Sequence, residues 1–502
     1  MCSVDEGTFK VQLLYAANTE TKQAGVSVQK LYFLIQVANL AFTKQIDILW
    51  AGADGVWHTL PAIFHSMSTG GVEYWNATTT LRATDTSPLP RNIQFAVRYR
   101  VNGKEYWDNN EGRNYFTPVG AALNLAAAAD VLNIGFAERL EQDQRHVSVA
   151  VSASSHVQMV SIKWTIDDWQ HTHLTPCRLE SSLALETAEQ LVDGGAQIWG
   201  ARLKIGTAFR LQYCICYQTD EGFFWDNNGR CDYVASRKPL NVLVLNLHCR
   251  QEDDQDYKFS QISKAIDELC ADVVCLQEVS EEWSDAQGDW PSNSAKIIND
   301  GLKQPYHIHT DWSHLGFDRY REGVAILSRY PFVKCDARFL SNCRDPYSIS
   351  TRKAVMGQVY VPYFGAISFF CVHMSWWSDG FAHQFQNLRD WAENDDGGEV
   401  QGALLCGDFN AKAGSIGYEQ IVESNVYDDE FLAVTSPHVF AEIFRERRDD
   451  WQQHLVDDGR IDYVFRARSS ALRATGARFV FTPQEYGPVS DHEGLLVSFE
   501  PA

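Results

Sequence analysis

The sequence predicts two β-sandwich modules followed by a layered α/β domain, and three observations carry that prediction. An internal repeat of about 100 residues per copy fills the N-terminal half. Over the C-terminal half, apolar β-runs alternate with amphipathic helical segments. Short polar islands stand at the ends of those β-runs, where a side chain can leave a packed sheet and meet others at one edge.

The repeat is direct. RYRVNGKEYWDNNEGRNY, ending at Tyr115, answers CYQTDEGFFWDNNGRCDY, ending at Tyr233, and in both copies an aromatic (Tyr99, Tyr217) precedes a Trp (Trp107, Trp225) that is followed by Asp-Asn-Asn. Upstream, QIDILWAGADGVWHTL answers VSIKWTIDDWQHTHL. Alternating β-branched and aromatic segments with Gly, Asn and Asp turns are the pattern of a sandwich. Trp50 and Trp164 lie within apolar runs and are expected to fill the cores, whereas Trp107 and Trp225 adjoin a polar turn and are expected on the surface. The Ala-rich stretch AALNLAAAADVLNIGFAERLEQDQ reads as a helical connector. The expected division is residues 1–120, a helical linker 121–144, 145–237 and 238–502.

The last block alternates β-runs such as NVLVLNL, ADVVCLQEV, ISFFCVHMSW, GALLCGDFNA, RIDYVFRA and HEGLLVSFE with helical segments such as FSQISKAIDELC and HQFQNLRDWAEN. Strands apolar enough to be buried on both faces imply a layered α/β sandwich. The islands at their ends are Asn246, Glu278, His373, Asp408, Asn410, Asp462, Asp491 and His492. Carboxylates and an amide suit a hard divalent cation, Mg²⁺ or Mn²⁺, for which Asn246, Glu278 and Asp491 are the expected ligands. Asp408 and Asn410 have i, i+2 spacing and point the same way if extended, one to orient water and the other to hold a phosphate oxygen. His373 and His492 are placed for phosphoryl oxygens, with Asp462 fixing the tautomer of His492.

Composition narrows the partners. The chain has 502 residues, with 65 acidic against 43 basic residues and a net charge of −22. That balance repels polyanions, so no nucleic-acid partner is expected. The first residues show no signal-peptide pattern and no run approaches the roughly 18 apolar residues that span a bilayer, so no membrane partner and a cytoplasmic location are expected. Twelve cysteines at irregular spacings, several inside apolar runs, read as free buried thiols.

Both repeat copies resemble the family 21 carbohydrate-binding module, which binds starch and glycogen. The second copy departs at Asp232, where Asn is expected, and at Phe224, which stands in the place of Tyr106. The resemblance implies α-glucan contacts at Trp57, Tyr99, Tyr106 and Trp107, and by the repeat at Trp169, Tyr217 and Trp225, with ring faces stacked on glucose.

The ordered islands resemble the endonuclease/exonuclease/phosphatase superfamily over the whole C-terminal block. This implies a four-layer α/β/β/α sandwich and the metal and catalytic roles just given. WSHLGFDRYREGVAILSRYP, with His314, Asp318, Tyr320 and Glu322, and HMSWWSDGFAHQFQN resemble the maltose 6'-phosphate phosphatase branch. Trp376 and Trp377 would then hold a sugar ring and Arg352 a phosphate oxygen. The plainer reading has the two Trp covering a sheet edge and Arg352 paired with a carboxylate. The expected function is a Mg²⁺-dependent phosphomonoesterase on a sugar phosphate or phosphorylated α-glucan, targeted to starch or glycogen. The alternatives are a phosphodiesterase of the same superfamily and a non-catalytic glycogen scaffold.

Overall fold

A strand whose alternate residues are apolar must bury one face, and here most strands do so in stacked pairs of sheets. The computed structural model describes residues 10–23, 25–67, 72–84, 88–124, 130–134, 138–152, 156–183, 196–228, 230–316, 319–394 and 400–502. It divides into two compact units at Lys238/Pro239.

The first unit holds both repeat copies. In the first copy one sheet runs Ala121–Asn124, Val11–Gln23, Val26–Ala38, Val72–Arg82, Ile63–Met67, and the other runs Trp57–Pro61, Lys44–Ala51, Ile93–Val101, Lys104–Asp108, with Tyr115–Thr117 also on Ile93–Val101. Phe33, Ile35, Ile48, Trp50, Phe95 and Val97 interdigitate between them. The second copy repeats the plan, with Val131–Asn133, Gln144–Ser152, Ala196–Lys204 and Arg178–Leu183 facing His173–Pro176, Met159–Thr165, Arg210–Thr219 and Gly222–Asp226 across a core that includes Trp164. Trp50 and Trp164 are therefore core residues, each stacked on a histidine, His58 or His173.

The helical connector expected over 121–144 is not formed in the described residues. Ala121–Asn124 is an edge strand antiparallel to Val11–Gln23, and Val131–Asn133 pairs with Gln144–Ser152. Residues 125–129 and 135–137 of that stretch lie outside the described residues. Helix propensity is a weak prior beside tertiary burial. Ala122 is fully buried against Leu14, Tyr15, Leu34, Ala150 and Ile198, a place where a small side chain lets two sheets approach.

The second unit is the four-layer α/β/β/α sandwich. Its first sheet runs His307–Gly316, Tyr320–Ser328, Val273–Ser284, Leu240–Asn246, Gly494–Pro501, Leu472–Val480, and its second runs Phe332–Phe339, Lys353–Val361, Gly365–His373, Val400–Asp408, Asp462–Ala467, Tyr427–Asp429. Each has one central parallel pair, and a parallel pair needs a crossover. Helices Gln255–Glu268 and Phe381–Glu393 supply the crossovers, burying Phe259, Ile262 and Ile266 on one outer face and Phe381, Phe385 and Leu388 on the other. Leu243 and Leu245 face the helix while the alternate Val242 and Val244 are buried toward the second sheet. The sheets meet where Cys371 lies 3.4 Å from the Leu276 carbonyl and accepts from Gln277 at 3.2 Å. The described cysteines are all free. No helix among the described residues is long and apolar enough to cross a membrane.

Candidate active site

The parallel strands of both sheets end at one rim. Cross-strand register places Asn246 opposite Gln277, His373 opposite Asp408, and Asp408 opposite Asp462. Glu278 follows Gln277 inside a register shift of Val273–Ser284 and takes a left-handed φ of 51°. A bulge of this kind re-aims a side chain, and here it turns Glu278 toward Asn246. His248 and Asn410 are also left-handed, at φ 44° and 49°. Such backbone persists only where surrounding structure holds it.

Asp408 is the hub. It is buried, its Oδ1 accepts from the Asn410 backbone nitrogen at 2.7 Å, and its Oδ2 accepts from Asn246 Nδ2 at 3.1 Å. The same oxygen lies 3.6 Å from His373 Nε2 and 3.9 Å from His492 Nε2. Burial, then the nearby Asp462 charge, pushes the Asp408 carboxyl up from its ordinary value. Asp462 accepts from His492 Nδ1 at 2.7 Å, which turns His492 Nε2 toward the hub. Burial works against a charged His492, but that hydrogen bond and the Asp462, Asp408 and Asp491 charges outweigh it and lift the imidazole to about 9. His373 behaves oppositely. Burial, then the Arg352 and His492 charges, holds it well below the usual histidine range. Arg352 donates to its Nδ1 at 3.5 Å, which leaves the Nε2 hydrogen facing Asp408.

Arg352 itself is buried, with no carboxylate within ion-pair distance among the described residues and its Nε without a hydrogen-bond partner. The reading in which it pairs with a carboxylate is thus overturned. A desolvated guanidinium whose side-chain acceptor is an imidazole rather than a carboxylate keeps an uncompensated charge that suits an anion. Trp376 and Trp377, 50% and 43% exposed, begin the short helical turn after His373.

Asn246 departs from its expected part. Its side-chain oxygen accepts from the His248 backbone nitrogen at 3.0 Å while its nitrogen donates to Glu278 Oε1 at 3.0 Å and to Asp408. Its amide here spaces two carboxylates rather than facing them with oxygen. Asn410 also differs, because its left-handed backbone breaks the extended run and its Nδ2 donates to the Met374 carbonyl at 2.8 Å.

The donor set fits a hard divalent cation. His248, Glu252 and Asp491 bring ligand atoms within 4.8 Å of one another, as do Asp408, Asp462 and His492. Asp462 Oδ1 is buried without a partner. Glu322, mostly buried, is pushed up to about 7 by burial and then by the Glu278 charge. His314, 3.5 Å from Glu322, is held down to about 4 by burial and the Arg352 charge. A cavity of about 510 Å³ opens beside Asp462, Asp491 and His492. A larger one, about 790 Å³, is lined by none of the hub side chains.

Sequence reasoning gave no part to Glu252, which pairs with His248 at 2.6 Å. It sits in a loop with no strand-end signal. Glu322 carried a signal only through the branch motif, and Asp318 of that motif lies outside the described residues.

On the modules, Tyr99 is 0% exposed and its hydroxyl donates to the Ala38 carbonyl at 2.9 Å, so it cannot stack on a sugar and the expected contact is withdrawn. Parity is the reason, because Tyr99 shares its face with Phe95, Val97 and Val101. Tyr106 pairs across to Tyr99, and Tyr217 pairs to Phe224; both tyrosines are half-buried against the cores. Trp107 pairs instead with Arg98 on the outer face and is 44% exposed; Trp225 pairs with Cys216 and is 51% exposed. Trp57 is exposed on the same sheet as Trp107, and Trp169 is half-buried. In the second copy the Lys163 ammonium lies over both Trp169 and Trp225, 5.8 and 5.6 Å from the ring centres.

Residues 243–492 match the model of the endonuclease/exonuclease/phosphatase family, and residues 11–117 and 137–236 match the carbohydrate/starch-binding module of family 21. The chain is an endonuclease/exonuclease/phosphatase family domain joined to two family 21 modules. Family 21 membership indicates α-glucan binding, and the catalytic family is one of phosphoester hydrolases that use divalent metals. Among curated proteins, protein phosphatase 1 regulatory subunit 3E of Mus musculus is 35% identical over 80 residues, 16% of this chain and 28% of that protein. Glucoamylase 1 of Rhizopus oryzae is 28% identical over 86 residues, 16% of this chain and 13% of that protein. The chain spans less than a third of the length of these relatives. Among solved structures, an endonuclease/exonuclease/phosphatase family protein from Leptotrichia buccalis is 23% identical with a TM-score of 0.42, covering 52% of this chain and 99% of that one. A mannosyl-6-phosphatase of Bacteroides thetaiotaomicron is 16% identical with a TM-score of 0.37, covering the same shares.

Proposed function

We propose that the chain is a Mg²⁺-dependent phosphomonoesterase acting on phosphorylated maltose, maltodextrin or glycogen, with its family 21 modules holding it on α-glucan. The observation that carries the phosphoryl reading is the buried Arg352 guanidinium, free of carboxylate partners and beside His373 and Asp408. The Nε2 groups of His373 and His492 face Asp408 Oδ2, and Arg352 stands behind His373 on its Nδ1 side, so a phosphoryl group next to Asp408 would meet both imidazoles with the guanidinium charge behind one of them. Asp408 Oδ2 orients the attacking water and takes its proton, while the Asn410 backbone fixes the carboxylate through Oδ1. His492, held by Asp462, and His373, held by Arg352, bind phosphoryl oxygens as charge moves onto them. Glu278 and Asp491 would hold the cation, with Asn246 keeping Glu278 in place, and a bound cation supplies neutralisation of phosphate and leaving-group charge.

An acidic chain with net charge −22 favours a small phosphoester or a neutral polymer carrying few phosphates over a nucleic acid. The exposed indoles of Trp376 and Trp377 near His373 suit a sugar ring. The test is phosphate release from maltose 6'-phosphate and phosphorylated glycogen with Mg²⁺, beside plasmid nicking and choline-phosphate release from sphingomyelin. Turnover of the sugar phosphates is expected. Turnover of either diester alone would overturn the reading.

A further inference from the structure

The two modules of the first unit are packed back to back. Strand alternation shows it. In Val26–Ala38, Phe33, Ile35 and Val37 enter the first module's own core, while the alternate Tyr32 and Leu34 join a separate cluster with Ala150 and Ile198 of the second module. In Gln144–Ser152, Val147, Val149 and Val151 enter the second module's core while Ala150 turns to that shared cluster. The Tyr32 hydroxyl donates across the junction to the Ile134 carbonyl at 2.9 Å. The two modules thus meet across this cluster, each through the sheet that does not carry its exposed tryptophans.

The aromatic faces lie on the two outer sheets. Trp57 and Trp107 sit on the outward side of the sheet that holds Lys44–Ala51, since they pair with Ala51 and Arg98, off the core parity. Trp225 sits on the outward side of the sheet that holds Met159–Thr165, under Lys163 with Trp169. Each aromatic face therefore lies on the sheet of its own module that does not carry the shared cluster.

We infer that this unit binds two separate α-glucan chains, one on each outer face, and so ties glucan chains together. The inference rests on the reading that these aromatic faces bind α-glucan. Tandem modules gain avidity on one strand only when geometry lets both engage it. A single chain would have to pass around both modules to touch Trp107 and Trp225 together. On a branched or bundled polymer, by contrast, two neighbouring chains are reached at once. Back-to-back packing converts a pair of binding modules into a cross-linker.

The full-length protein is titrated into dilute glycogen while turbidity is read, and glycogen pull-down is measured in parallel. Turbidity is expected to rise and then fall as protein in excess covers every particle singly. Trp107→Ala and Trp225→Ala are each expected to stay bound in the pull-down while turbidity drops to that of glycogen alone. Maltopentaose calorimetry on the unaltered protein is expected to give two ligands per chain, and one in each variant, with unchanged melting temperatures confirming that the variants fold. Wild-type protein that binds glycogen without turbidity, a one-face variant that still cross-links, or one pentaose per unaltered chain overturns the inference. Absence of any glycogen binding removes the glucan reading itself, which separates the two failures.

Discussion

Asp408 Oδ2 has nitrogen neighbours from Asn246, His373 and His492 within 4 Å, so its charge is what the surrounding side chains are arranged to use. Asp408→Asn keeps the shape and removes the base, and kcat is expected to fall about 10²- to 10⁴-fold with the melting temperature little changed. Arg352→Ala, which deletes the buried guanidinium behind His373, is expected to lower kcat/KM by about 10²- to 10³-fold. Retained activity in steady-state assays of either variant would remove that side chain from the mechanism. The residue identities at the rim were legible because each stands where an apolar run gives way to a polar group, and the carboxylates, amides and imidazoles that point to phosphoryl chemistry are themselves sequence. Orientation was not. The left-handed φ of Glu278 and Asn410 and the amide sense of Asn246 depend on contacts between strands far apart in the chain. Tyr99 is the opposite case, since its parity with Phe95 and Val97 was readable and marks it as core.

At the scale of elements, Val400–Asp408 must deliver Asp408 to the rim while running against Gly365–His373. Gly407 takes φ 143°, and a Cβ there would meet the Val372 carbonyl oxygen at 2.0 Å. Gly407→Ala is expected to destabilise the fold by about 2–3 kcal/mol and to lower activity with it, read by denaturant melts and phosphate release. A second element-scale anchor is Asp428 on Tyr427–Asp429, which is buried and accepts from Arg445, Arg466 and Arg468 at 2.7–3.0 Å. Burial alone would raise its carboxyl, but the Arg445 hydrogen bond and charge, with Arg468, hold it below the ordinary value. A lowered carboxyl stabilises the fold above the unfolded pKa of about 4 and loses that contribution as pH falls through the folded value. Asp428→Ala is expected to cost about 3–5 kcal/mol at pH 7, because three guanidiniums are left facing one another. The gap to wild type should narrow below about pH 4. A gap independent of pH would contradict the ion-pair account. The strands and crossover helices of this unit follow from periodicity, whereas the edge strand Ala121–Asn124 was hidden because alanine favours helix until a neighbouring sheet claims its small side chain.

For the molecule as a whole, the proposed glucan binding and the proposed phosphoester hydrolysis fall to two compact units divided in the chain at Lys238/Pro239. Trp107→Ala combined with Trp225→Ala is expected to abolish glycogen pull-down and slow phosphate release from glycogen while leaving turnover of maltose 6'-phosphate unchanged. Loss on the small substrate as well would contradict that separation. The repeat made the modules legible, and the ordered islands made the hydrolase legible; the stacking of the two modules into one unit was not, since Leu34, Ala150 and Ile198 read as ordinary strand residues. Everything proposed for the molecule depends on the rim residues hydrolysing phosphate from phosphorylated α-glucan. The most direct test is the release of inorganic phosphate from phosphorylated glycogen in Mg²⁺ by the intact chain and by Glu278→Ala. Steady release is expected from the former, abolished by chelation and restored by Mg²⁺, and none from the latter; equal release by both, or none by either alongside good cleavage of a phosphodiester, would rule out a phosphomonoesterase at this rim.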